Sequence, residues 1–261
     1  MIHNLRKIDI RIVTFLVILM IFDDFIFAPL SNMLHIKGSY LLFETWFKLF
    51  EFLVAVILNS LLIHEKARWK TKIGKNSYVM FLIMLVTLSL GSISRLSNVK
   101  GAFVIGLIAC ISEEYIFRSV VLGSLMSDIA YVKCTTKTVL VRIAASSILF
   151  SLYHLGNARS DGLPATMLQM IQVCGLGFLL GCLYVRKGSL LFPMIMHFFV
   201  DYLVVVSTGI TGTAIKHLTI SNVINSLFIM CAYIVLGLAV LGIGNAEQWM
   251  LLKSKRAAIH S

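Results

Sequence analysis

Apolar residues in this chain come in long unbroken runs, without the strict alternation of a half-buried strand or the one-sided stripe of a soluble helix. Eight runs stand out: Ile10–Phe27, Tyr40–Ile63, Tyr78–Ile93, Ala102–Leu125, Val139–Leu155, Met167–Tyr184, Leu190–Thr208 and Ile220–Ile243. A helix climbs 1.5 Å per residue, so about 20 apolar residues cross a hydrocarbon core about 30 Å thick. The pattern predicts an all-α, polytopic integral membrane bundle of about eight transmembrane helices. Residues 1–261 read as one transmembrane domain with its polar core at about 102–202. The first run follows Arg6, Lys7 and Arg11 but has no small-residue cleavage site after it, and it reads as a retained span.

Composition agrees with the pattern. Hydrophobic residues make up 59% of the chain and charged residues 13%, against about 25% charged in a soluble domain. Mean hydropathy is +0.92. A net charge of +11 would suggest nucleic acid in a soluble protein. Here the basic residues cluster between apolar runs, which points to topology and anionic lipid, with no nucleic-acid partner.

Cys110, Cys174, Cys182 and Cys231 lie within apolar stretches and Cys134 in a loop, with no CxxC, so neither disulfides nor thiol metal sites are expected.

The loop charges set an orientation. With the N-terminus inside, the inner segments carry Arg6, Lys7, Lys66, Arg68, Lys70, Lys72, Lys75, Lys133, Lys137, Arg186, Lys187, Lys253, Lys255 and Arg256. The outer segments carry only Lys37, Arg95, Lys100, Arg159 and Lys216. This bias predicts both termini in the cytoplasm of a multi-pass cell-membrane protein. Gly177 and Gly181 form a GxxxG preceded by Gly175, read as a close helix-packing surface. The C-terminal tail reads as a solvated segment at the lipid surface.

Against this background three segments carry ionisable groups inside apolar runs: EEYIFR (Glu113, Glu114, Arg118), FSLYH (Phe150, His154) and HFFVD (His197, Asp201). Such groups are costly in a bilayer, face a bundle interior and mark function. Adjacent residues on a helix point about 100° apart, so Glu113 and Glu114 are not expected to face one point. Glu114 and Arg118 have the spacing of a helical ion pair, which assigns them a structural role and leaves Glu113 as a general base. A helix-locking charge cluster without chemistry is the competing reading. His154, at the outer end of its run, is by itself more readily a hydrogen-bonded interface residue than a catalyst. His197 and Asp201 share a helix face, and an Asp one turn from a His can hold the imidazole in one tautomer.

Glu44, Lys48 and Glu51 are spaced for helical pairing and read as a satisfied interfacial cluster, or as the lining of a substrate entrance. Asp23 and Asp24 sit where snorkelling to water is easy. No GxSxG elbow, GxxxxGK[ST] loop or HExxH helix is present.

EEYIFR, FSLYH and HFFVD, in that order, together with GCLYVRKGSLLFPMIMHFFVD, resemble the CaaX protease and bacteriocin-processing (CPBP/Abi) family of intramembrane proteases. The resemblance covers roughly Ala102 to Tyr202. It implies an endopeptidase acting on a membrane-associated peptide. Glu113 with His154 would activate water, His197 with Asp201 would stabilise the oxyanion, and Glu114, Arg118 and Phe150 would support the site. A carboxylate cannot donate to an oxyanion, so orienting His197 is the safer role for Asp201.

If zinc is bound, Glu113, His154 and His197 supply the two-His, one-carboxylate set of zinc hydrolases; otherwise the family is glutamate-dependent without a metal. The expected role is bacteriocin or signal-peptide maturation, or self-immunity, in a bacterial cytoplasmic membrane. A non-catalytic peptide-binding immunity or regulatory protein is one alternative. A proton-coupled transporter is another, disfavoured by the lack of an inverted repeat.

Overall fold

The computed structural model describes residues 2–33, 39–69, 73–130, 135–210, 215, 217–242 and 249–259. Lys37, Lys70, Lys72, Lys133, Cys134, Lys216 and Ile243, all used in the sequence reading, lie outside the described residues. Among those described, all regular structure is helical. The α-helices are α1 (Ile2–Ile21), α2 (Ala28–Met33), α3 (Tyr40–Leu58), α4 (Lys75–Ile93), α5 (Val99–Glu114), α6 (Gly123–Ala130), α7 (Thr136–Tyr153), α8 (Leu163–Lys187), α9 (Leu191–Thr208), α10 (Ile220–Leu241) and α11 (Met250–Ile259).

By length and composition, five helical stretches can cross a membrane: Tyr40–Ile63, Thr136–Arg159, Leu163–Lys187, Leu191–Thr208 and Ile220–Leu241. A sixth is gained if Ser77–Ile93 and Leu96–Ser127, joined at a 115° bend, count as one span. The chain is a multi-pass membrane protein. The expected count of eight therefore becomes five or six among the described residues. Two of the expected runs, Tyr78–Ile93 and Ala102–Leu125, fall in the bent pair. Ile10–Phe27 is α-helical only to Ile21 and then π-helical through Phe22–Phe27, where Asp23 and Asp24 interrupt the apolar run.

The chain divides into two compact units, Met1–Ile116 with Met194–Thr213, and Phe117–Pro193 with Ala214–Ser261. In the first, α5 and α9 run antiparallel: Asn98 and Arg95, just before α5, donate to the Val206 and Ser207 carbonyls near the end of α9, at 3.0 and 2.9 Å. These bonds satisfy carbonyls that a helix C-terminus leaves orphaned. Ala102, Tyr202 and Val206 form a core with Leu88, Val99, Phe198 and Val205. Ser92 Oγ meets the Tyr202 hydroxyl at 2.6 Å. Gly106 lets Phe198 lie against α5: a Cβ there would sit 3.2 Å from the Phe198 ring. Together these contacts fix the register of α9, and with it where His197 and Asp201 point.

The second unit is organised around α8. A Cβ on Gly175 would stand 2.6 Å from the Met230 carbonyl oxygen of α10, and Cβ atoms on Gly177 and Gly181 would stand 3.0 Å from Phe150 and 2.9 Å from Ile143 of α7. The small-residue stripe works as the packing surface that its spacing predicts. Gln172 adds a hydrogen bond to Ser226 across the α8–α10 contact, at 2.9 Å.

The C-terminal tail departs from expectation. It forms α11, with Trp249, Leu251 and Leu252 fully buried and Lys255 Nζ 2.6 Å from Ser127 Oγ on α6. Three apolar side chains, two on this short helix and Trp249 just before it, favour burial against the unit over a position at the lipid surface.

Candidate active site

Glu113 and Glu114 close α5, and the next eight residues, Tyr115–Leu122, continue as a π-helix. Such wide turns in a helix recur at functional sites. Glu114 is fully buried, and Glu113 and His197 are nearly so. The Nδ1–H of His197 donates to Glu114 Oε1 at 2.8 Å. Its Nε2 faces Asp201 Oδ2 at 3.3 Å and Glu113 Oε2 at 3.7 Å. One imidazole thus gathers three carboxylates from two helices, within one unit.

Two details correct the sequence geometry. The adjacent glutamates do converge on one group, because the two ring nitrogens of His197 lie on different edges and each carboxylate addresses a different one. The tightest hydrogen bond to His197 comes from Glu114, not Asp201. Glu114, which its spacing pairs with Arg118 in a structural role, also holds the histidine. Asp201 keeps its i,i+4 contact with the ring and is the most exposed of the four, its side chain 25% accessible.

Sequence reasoning missed part of the cluster. Lys48 of α3 places Nζ 3.0 Å from Glu113 Oε1 and 3.0 Å from Glu51 Oε2. Ser112 Oγ donates to the same Glu51 oxygen at 2.6 Å. A lysine three residues from a glutamate looks like a self-contained helical pair, and the sequence read it so. The signal that could have found it is depth in the run: Glu51 lies near the middle of Tyr40–Ile63, where an interfacial residue would not sit, and it is completely buried.

His154, Phe150 and Arg118 belong to the second unit. The His154 Nδ1 lies 2.8 Å from the Phe150 carbonyl oxygen. A carbonyl only accepts, so Nδ1 carries the proton and Nε2 presents the lone pair. The ring packs edge-on to Phe150 at 4.7 Å between centroids. Phe150 also receives the nearly fully buried Arg118 guanidinium over its face at 4.5 Å, and Phe117 beside it at 5.0 Å. Phe150 is thus a platform for both Arg118 and His154.

Among the described residues, no group of three His, Cys, Asp or Glu side chains is arranged to hold a metal ion. The zinc set considered above divides between the units, with Glu113 and His197 in the first and His154 in the second. The Lys48 ammonium, bound to Glu113, already supplies positive charge where a cation would be held.

Residues 95–203 match the family described as type II CAAX prenyl endopeptidase Rce1-like. The segment is Rce1-like. It contains Glu113, Glu114, His154, His197 and Asp201, and the matched family is one of proteases. At the family level the match supports a CAAX-type intramembrane endopeptidase. No curated protein and no solved structure matches the chain.

Proposed function

We propose that this protein is an intramembrane endopeptidase that cleaves a membrane-associated peptide by activating water with Glu113. The supporting observation is the buried His197 cluster, in which a carboxylate oxygen of Glu113 faces an imidazole held from its far side by Glu114. Glu113 takes a proton from water as its oxygen attacks the scissile carbonyl carbon. The oxyanion formed is met by the Nε2–H of His197. With Nδ1–H bound to Glu114, donation from Nε2 requires the doubly protonated ring, whose charge Glu114 and Asp201 offset. Glu113 then passes its proton to the leaving amine as the C–N bond breaks. Before the oxyanion forms, Asp201 accepts from Nε2, 3.3 Å away, and orients the ring. His154 enters from the family resemblance, as the partner of Glu113 in activating water, with its Nε2 lone pair as the basic atom.

The chemistry is glutamate-type, because Lys48 provides the charge balance that a metal would otherwise supply. The setting is a bacterial cytoplasmic membrane, and the role is maturation of a bacteriocin or signalling peptide, or self-immunity against one.

The test is peptide mapping of membranes carrying the parent chain or Glu113→Ala. An uncut peptide should accumulate in the variant, while insertion and abundance of the protein stay unchanged. A His154→Ala strain should accumulate the same peptide, and cleavage by the parent should survive chelators. Identical peptide profiles for parent and Glu113→Ala would reject proteolysis in favour of a peptide-binding protein without chemistry. Activity lost to chelation and restored by zinc would reject the metal-free mechanism.

A further inference from the structure

We propose that Lys48, anchored by Glu51, is a positioning residue that sets which oxygen of Glu113 acts as the base. This inference rests on the proteolytic reading above and deepens it.

Lys48 lies in the middle of α3, an apolar helix that packs along α5. Its ammonium bridges two carboxylates from two helices, with Nζ 3.0 Å from Glu51 Oε2 and 3.0 Å from Glu113 Oε1. Ser112, beside Glu113 on α5, closes the loop by donating to the same Glu51 oxygen at 2.6 Å. The two helices are therefore tied at this level through both Lys48 and Ser112.

The division of oxygens is the functional consequence. Oε1 of Glu113 is bound to the ammonium, which leaves Oε2 turned towards His197 Nε2 at 3.7 Å, beyond hydrogen-bonding range. A general base needs its reacting oxygen fixed against the oxyanion donor, and small misplacements are expensive in rate. Glu51 makes sense only as part of this device. It is completely buried, and its Oε1 has no hydrogen-bond partner among the described residues. A carboxylate so placed is a poor packing choice in lipid. It does hold Lys48 against Glu113.

The test uses the full chain in liposomes. Lys48→Met alone leaves two buried carboxylates unbalanced and risks misfolding. The informative variant is the charge-matched pair Lys48→Met with Glu51→Gln, which removes one charge of each sign and keeps the helices apolar. Its kcat should fall by about 10- to 100-fold while KM changes by less than about threefold, since substrate contacts are untouched. Lys48→Arg, which keeps a cation in place, should stay within about fivefold of the parental kcat. A charge-matched pair with kcat within about twofold of the parent would overturn the proposal, as would a Lys48→Arg enzyme no faster than that pair. Glu113→Ala is measured alongside. If it is inactive while the Lys48 variants run at the parental rate, positioning alone fails; if it cleaves as the parent does, the proteolytic reading fails with it.

Discussion

Where α8 meets α7 and α10 in the second unit, the contact surface is Gly175, Gly177 and Gly181, and the helices approach until a single Cβ would collide. Where α5 meets α3 and α9 in the first unit, the contact surface includes Lys48, Glu51, Glu113, Glu114 and His197. Both crossings join apolar helices in lipid, where burying apolar surface gives no drive to associate. The glycine crossing is held by close packing and asks nothing of its environment. The charged crossing puts groups into the membrane interior that cost about 3 kcal/mol each when unpaired at its centre, and offsets that with a network of ion pairs. Small residues would have packed the first unit as well. The proposed chemistry accounts for the less economical solution there.

This contrast predicts that the same kind of change reads out differently in the two places. The largest effect is expected at Glu114→Gln. The amide is nearly isosteric, so the fold and melting temperature should hold, but it no longer secures Nδ1–H with a charge. The kcat should drop on the order of a hundredfold or more. A variant at the parental rate would show that Glu114 is structural after all. Next comes Gly175→Leu, which should lower stability by about 1–3 kcal/mol through overpacking against Met230, seen as a lower melting temperature in detergent. Molecules that remain folded should keep their kcat; a loss of rate without loss of stability would blur the distinction between the two crossings. The smallest is Tyr202→Phe, which removes the hydroxyl contact with Ser92 and should cost about 1 kcal/mol or less of stability with little change in rate.

How far these features could be read in advance depended on whether they were local. The helical class and most spans were visible because twenty apolar residues have few other uses. The His197–Asp201 contact followed from i,i+4 spacing, and the glycine stripe from small residues four apart. What escaped was tertiary. Lys48 and Glu51 satisfy each other on paper, and only the approach of α5 makes Lys48 a partner of Glu113. The two adjacent glutamates seemed unable to share a target because spacing treats a target as a point, whereas an imidazole has two binding edges. The π-helical turn at Tyr115–Leu122 carries no simple residue pattern that would announce it. The burial of α11 escaped for a similar reason. Trp249, Leu251 and Leu252 look like surface anchors until a partner helix is supplied.

The central claim is that a carboxylate oxygen of Glu113 does the chemistry. The direct measurement is kcat for a peptide cleaved by the purified protein in liposomes, comparing the parent with Glu113→Gln and recording the melting temperature of each. The account predicts a fall in kcat of about 100-fold or more at unchanged melting temperature. A Glu113→Gln protein that cleaves at the parental rate would contradict it.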